Sequence, residues 1–334
     1  ILDKIGLIEK LIIWDKKTPE KNFVKSLIKI FLFPIILATV TYFQIIDKEF
    51  MKIACVLVTF NRKQMLLECL DALLIQTAPL QTIYLVDNNS SDGTHELLAS
   101  KGYLENPKIR YFNSGANLGG AGGFSFGMKK ALASKYDWYW LMDDDVEPYP
   151  DALENQLSFS NLSHCIHPQK IFKDGTTYQW DGWFNPRTLR TKWQSNERFS
   201  NGAECVEVNY GCFEGMLIHH SIVKKIGVPD ERFFIHSDDL IYGYLASLHT
   251  KVLYINRAKF LKKIKKDQTT RFLGRNIPYL SGFNQYFNLR NHALLIDELT
   301  QVNKTSYVLS RSLYLLKFFK IFTLSLFVHR NLKD

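Results

Sequence analysis

Three consecutive aspartates, Asp143, Asp144 and Asp145, follow directly on the apolar run Trp138-Tyr139-Trp140-Leu141-Met142. Such a run reads as a buried strand, so three carboxylates stand crowded at a strand end. Their mutual repulsion has to be offset by a divalent cation or by hydrogen-bond donors that hold the ionised forms. The chemistry this cluster offers is a metal–diphosphate site; a solvated acidic turn ahead of Pro148 is the alternative that the tripeptide leaves open. A second acidic pair, Asp238-Asp239, follows Phe233-Phe234-Ile235-His236-Ser237 and precedes Leu240-Ile241-Tyr242-Gly243-Tyr244. One of these two aspartates is expected to cap a helix beginning at Leu240.

The elements that must position these acids are legible from Met51 onward. Apolar stretches predict strands over 53–59, 83–86, 109–112 and 138–142, and spacings of three and four predict helices over 63–74, 94–99 and 123–133. Strands separated by helices imply an α/β, Rossmann-like architecture, a mostly parallel sheet flanked by helices on both faces. Ligands of such sheets bind at the carboxyl ends of the strands. The polar residues fall there: Thr59-Phe60-Asn61-Arg62, then Asp87-Asn88-Asn89, then the stretch 113–123, then the aspartate triplet. Asp87 offers acceptors for the imide hydrogen of uracil, or forms a turn or helix cap. The run Gly119-Gly120-Ala121-Gly122-Gly123 would let backbone approach a ligand closely, at the start of a helix whose amides favour anions.

Composition bounds the function. A chain of 334 residues, 46% hydrophobic, can bury a large core, and its formal charge of +9 favours anionic partners such as nucleotides, diphosphates or phospholipid headgroups. No zinc-finger spacing and no aromatic–glycine motif of an RNA-binding sheet occurs, so no nucleic-acid partner is expected. Cys55, Cys69, Cys165, Cys205 and Cys212 are odd in number and scattered, which supports neither a disulfide framework nor a structural zinc site. Residues 1–50 differ from the rest: 30–46 is free of charge but short for a span and interrupted by Pro34, so interfacial or buried helix competes with a transmembrane one. The apolar stretch 313–328, with Arg311, Lys317, Lys320, Arg330 and Lys333 in or around it, suits a helix in a membrane interface, or a packing helix for the core or a homo-oligomer. Trp180 and Trp183 offer aromatic faces for a sugar acceptor, although tryptophans serve equally as core anchors.

The segments Val58 to Arg62, Val86 to Thr94, Asn117 to Phe124 and the aspartate triplet together resemble the inverting family 2 glycosyltransferases with a GT-A fold. The glycine-rich stretch 117–128 is especially similar to the bacterial galactofuranosyltransferase branch. The resemblance covers about 51–291. It implies donor-binding roles for Thr59, Arg62, Asp87, Asn117, Gly119, Gly120, Asp143 and Asp144, and a divalent ion (Mn2+ or Mg2+) on Asp143 and Asp145. It also implies a general base at Asp239, supported by Asp238, which takes the acceptor hydroxyl proton during a single inverting displacement. Trp180, Trp183 and His236 would lie on the acceptor side. Similar enzymes carry a histidine after the strand expected over 251–255; here the later stretch reads Phe260-Leu261-Lys262-Lys263. Another group or water completes the metal site, or Lys262 or Lys263 contacts diphosphate directly, or the enzyme is impaired.

The expected organisation is an N-terminal helical, membrane-associated segment (1–50), a nucleotide-sugar-binding half (51–150), an acceptor-binding half (151–292) and a C-terminal amphipathic helical segment (293–334). The implied activity is transfer of a hexose, galactofuranose from its UDP carrier, to a lipid-linked or polysaccharide acceptor at the cytoplasmic face of a bacterial plasma membrane. A rhamnosyl or other hexosyl transferase of the same fold, and an inactive glycan-binding or assembly protein, are the alternatives. A nucleotidyltransferase would need a glycine-rich loop after the first strand, and 59–65 has no glycine; an Asp-x-Asp-x-Thr phosphatase would need threonine where Glu147 stands.

Overall fold

Ile53–Thr59 is buried at every position, the pattern of a strand covered on both faces of a sheet. In the computed structural model it is the central strand β1. The structure describes residues 51–334 apart from 194–198, 200, 266–268, 273–274, 279–281, 304–310, 313, 317 and 320–334. The expectations for 1–50, and for most of 313–328, lie outside the described residues.

In chain order β1 is followed by α1 (Lys63–Leu74), β2 (Thr82–Asp87), α2 (Thr94–Ser100), β3 (Ile109–Asn113), α3 (Gly119–Leu132) and β4 (Trp138–Asp143). The four strands are parallel in the order β4-β1-β2-β3, and the register sets Val58 opposite Asp143, Thr59 opposite Asp87 and Asp87 opposite Asn113. That register lines the polar strand ends along one edge. Parallel pairing of these apolar strands requires covering helices, and α3 lies close enough that a Cβ at Gly123 would come 2.6 Å from Val58 Cγ1.

The second half extends the sheet beyond β4. After β5 (Val146–Pro148) and α4 (Ala152–Leu157) come β6 (Cys165–Ile171), β7 (Thr177–Tyr178), a separate hairpin of β8 (Gly182–Asn185) and β9 (Arg190–Trp193), then β10 (Cys205–Val208) and β11 (Met216–His219). Next are α5 (His220–Ile226), α6 (Asp238–Ser247) and β12 (Val252–Lys262), then the hairpin β13 (Thr269–Phe272) and β14 (Arg275–Pro278), and α7 (Gly282–Asn303). The full order is β10-β12-β6-β11-β4-β1-β2-β3, with β11 antiparallel to β4 and β12 parallel to β6. One core cluster packs Phe124, Phe213 and Tyr242 between sheet and helices; another joins α7 through Leu295, Ile296 and Leu299 to Phe233, Leu240 and Tyr244. Among the described residues no helix is long and apolar enough to cross a membrane.

Three expectations change. Helix α3 begins at Gly119 rather than at residue 123, because Asn117 Oδ1 accepts from Gly119 N and Phe234 O accepts from Ala121 N, which offsets the poor helix propensity of glycine. Helix α6 begins at Asp238, not Leu240. Strand β12 does not stop near 255 but runs to Lys262, where it pairs with β5 so that Lys262 faces Val146. The basic residues along this stretch have partners: Arg257 with Glu204, Lys259 with Gln169 and Asn256, Lys263 with Glu68 and Glu147.

Candidate active site

Asp144 is held by the end of β1. Its Oδ2 accepts from Thr59 Oγ1 at 2.7 Å and its Oδ1 from Arg62 Nη1 at 2.9 Å. Burial pushes its carboxyl up, against the pull of Arg62 and Thr59. Asp145, which follows the neighbouring strand β4, lies 3.5 Å from the same guanidinium.

Both oxygens of Asp145 accept from Lys262 Nζ at 2.9 Å, and the same ammonium donates to Glu214 Oε1 at 2.6 Å. Burial alone would lower the lysine, but Glu214 and Asp145 raise it well above the ordinary range. Asp143, Asp145 and Glu214 each offer a carboxylate oxygen within 4.8 Å of the others. Glu214 Oε2 is buried without a hydrogen-bond partner. Burial, then the Glu214 and Asp145 charges, push Asp143 far up, with Lys262 opposing. An all-carboxylate set with an orphaned acceptor and surplus negative charge fits a hard divalent cation such as Mg2+ or Mn2+.

The other strand ends are organised around turns. Asp87 accepts from Ser90 N through Oδ1 and from Tyr111 Oη through Oδ2, both at 2.8 Å, so its carboxylate fixes the β2 turn as well as facing the edge. Asn88 Nδ2 donates to Gly119 O at 2.9 Å, tying that turn to α3. The close approach expected of the glycine run is made to protein: Gly119 has φ +70°, and a Cβ there would overlap the Phe234 carbonyl. A Cβ at Gly120 would lie 3.9 Å from Asp238 Oδ2.

The loop that contact supports is the one ahead of the second acidic pair. Phe234, His236 and Ser237 all have positive φ (62°, 70° and 67°), a conformation that non-glycine residues keep only when their surroundings enforce it. Asn291, fully buried on α7, enforces it by donating from Nδ2 to the carbonyls of Phe233, Ile235 and His236 at 2.9, 2.7 and 2.7 Å. Arg290 Nη2 donates to Phe233 O at 2.7 Å. His236 Nε2 lies 3.2 Å from Asn284 Oδ1.

Beyond the loop, Asp239 Oδ1 accepts from Leu240 N at 2.8 Å and Oδ2 from Trp180 Nε1 at 3.0 Å. Trp180 is itself anchored by its neighbour Asp181, buried against Lys170 Nζ at 2.9 Å. Burial pushes Asp238 up to about 6. Burial and the Asp238 charge push Asp239 well above the usual range, and the Glu214 charge adds to this. The Glu214 charge is thus among the causes that raise both Asp143 and Asp239, and Tyr178, whose ring centre lies 5.6 Å from Lys262 Nζ, is raised by burial first, with Glu214 and then Asp239 adding to it. Trp183 is exposed on β8 and lines a cavity of about 850 Å³ with Arg187, Arg190 and Lys192.

Glu214 was not singled out by sequence reasoning, and neither was Asn291 as the clamp of the loop. The one signal for Glu214 was a lone acid between Gly211 and Gly215 in an otherwise apolar stretch.

A mostly parallel sheet carrying its acidic residues on the carboxyl edge, with an antiparallel extension beyond β4, defines the GT-A fold. Residues 54–227 match glycosyl transferase family 2, and the chain belongs to that family. It is 29% identical over 200 residues to the galactofuranosyltransferase GlfT1 of Mycolicibacterium smegmatis, an alignment covering 56% of this chain and 63% of that protein. The chain thus spans under two thirds of that relative's length. Among solved structures it is similar to GalNAc-T7 with UDP, GalNAc and Mn2+ (TM-score 0.55, 16% identity, 74% of this chain and 48% of that one). It is also similar to S. aureus TarS 1–349 in complex with UDP (TM-score 0.51, 14% identity, 84% of this chain and 74% of that one).

Proposed function

We propose that the chain is an inverting hexosyltransferase that moves galactofuranose from a uridine diphosphate carrier onto a hydroxyl of a lipid-linked or polysaccharide acceptor, at the cytoplasmic face of a bacterial plasma membrane. The observation that carries this reading is the cluster at the carboxyl end of β4, where Asp143, Asp145 and Glu214 each offer a carboxylate oxygen within 4.8 Å of the others and Arg62 lies beside Asp145. A divalent cation held in the cluster of Asp143, Asp145 and Glu214, on whichever of their oxygens are open to it, would offset charge developing on the departing nucleoside diphosphate. Arg62, half-exposed and already turned toward Asp144 and Asp145, adds a fixed positive charge at the same edge.

Asp239 takes the proton of the acceptor hydroxyl as that oxygen forms its bond to the anomeric carbon, while the bond to the diphosphate oxygen breaks on the opposite face. Trp180 fixes the carboxylate orientation through Oδ2. A raised pKa suits this role, because a stronger base accepts the proton more readily. The galactofuranose donor is supported by the likeness to GlfT1 and by the 117–128 stretch.

The test is a panel of nucleotide sugars with Mn2+ and a glycan acceptor, read by release of nucleoside diphosphate. Release is expected from the UDP-galactofuranose arm, and Asp239→Asn should keep donor binding while transfer falls by about a thousandfold. Silence from every donor would sink the enzyme reading; turnover of a different sugar alone would sink only the donor assignment.

A further inference from the structure

Lys262 has no part in the reaction described above, yet it sits in the middle of the acidic cluster. An ammonium has three N–H donors and no acceptor. Here the three acceptors are Asp145 Oδ1, Asp145 Oδ2 and Glu214 Oε1, at 2.9, 2.9 and 2.6 Å. Its donors are therefore fully used. The side chain is buried, and the backbone on both sides is fastened: Lys262 faces Val146 in the β5–β12 ladder, and Lys263 N donates to Asp145 O at 3.1 Å. Lys263 does not compete for the place, since its own ammonium pairs with Glu68 and Glu147.

The charges left over are informative. Asp143, Asp144, Asp145 and Glu214 face the two cations Arg62 and Lys262, so the ionised cluster keeps two negative charges, the complement of one divalent ion. The acceptors left over are on Asp143 and on Glu214 Oε2, the buried oxygen without a partner.

We infer that Lys262 is a resident counter-cation that occupies Asp145 and one oxygen of Glu214, so that among the described residues of this cluster Asp143 and Glu214 Oε2 are left to a divalent ion, which is held weakly until donor diphosphate oxygens complete the coordination. The inference rests on the metal–diphosphate reading of this cluster. It makes metal and nucleotide binding strongly coupled, since each supplies what the other lacks. Asp145 is then a partner of lysine first and of metal second.

The experiment measures Mn2+ binding to the full chain by electron paramagnetic resonance, with and without UDP, and never asks for transfer. Wild type should bind Mn2+ weakly alone and at least about tenfold more tightly with UDP. Lys262→Met, similar in length and uncharged, frees Asp145 and should tighten Mn2+ binding without UDP by about tenfold or more. Its melting temperature should fall without Mn2+ and recover on adding it, because the ion replaces the missing charge. Should that variant not fold, Asp145→Asn serves in its place: Mn2+ affinity without UDP should change less than about threefold, whereas Asp143→Asn should abolish binding. Unchanged or weaker Mn2+ binding in Lys262→Met, loss of binding in Asp145→Asn equal to that in Asp143→Asn, or no Mn2+ on wild type even with UDP would each overturn the inference. Failure of the donor panel with these binding results intact would remove the activity and leave the lysine's role standing.

Discussion

At the scale of the residue, the chemistry turns on how buried carboxyls are kept apart in protonation. Asp238 and Asp239 are adjacent, and burial raises both, Asp238 to about 6. A carboxyl whose folded pKa exceeds its unfolded value binds more protons in the folded state, so stability is full below the unfolded pKa and is lost as pH rises through the folded one. Wild type should accordingly lose melting temperature from about pH 4 to about pH 6, and Asp238→Asn should show a smaller decline, the remainder coming from Asp239. Transfer should show the opposite trend, rising with pH as the base ionises. Because the Asp238 charge is one cause of the upward shift at Asp239, Asp238→Asn should move that rise to lower pH; an unmoved profile would separate the base from this pair. The acids were legible because residues 143–145 and 238–239 are contiguous at element ends. Glu214 was not, since a single carboxylate acquires meaning only when β11 pairs with β4 and carries the turn ahead of it to Asp143.

Elements explain what single residues do not. Strand 53–59 and helix 63–74 match the sequence expectation to the residue, because continuous burial and a repeat of three and four leave little choice. The β5–β12 ladder was illegible: Pro148 suggests a turn and the lysines suggest a solvated loop, while the pairing that makes both into strand is a long-range contact. The loop 234–237 was hidden for the same reason, as its three positive φ values are imposed from α7. Asn291→Ala should therefore act at a distance. Three carbonyls lose a donor, two of them part-buried and the third, on Phe233, still held by Arg290, which costs about 1–3 kcal/mol of stability. With the loop loosened, kcat should fall at least about tenfold while KM for the donor stays within about twofold, since the residues proposed to bind the donor, Thr59, Arg62 and Asp144, lie at the end of β1, ahead of α1 and just after β4 rather than in this loop. Chemical denaturation with initial rates checks both; a rise in donor KM alone would place Asn291 on the donor side instead.

For the whole molecule, the sheet gathers the cluster at one edge, with the parallel half presenting Asp143, Asp144 and Asp145 and the extension beyond β4 carrying Glu214 and Lys262 back to them. What remains for the rest of the surface is to bring an acceptor there. The chain carries +9, and among the described residues Leu315, Leu316, Phe318 and Phe319 expose large apolar side chains, as do Phe283 and Tyr286 at the start of α7. Apolar side chains beside basic ones bind an anionic lipid surface by burial and by charge together, and the charge part is screened by salt. Vesicle sedimentation tests this with the full chain. Vesicles with about 30% phosphatidylglycerol should retain it at about 0.1 M salt, release much of it at about 0.5 M, and bind it more strongly than neutral vesicles do. Equal, salt-insensitive retention on neutral lipid would assign the binding to apolar insertion alone. No retention on either would take the membrane out of the proposal while leaving the chemistry at the sheet edge untouched.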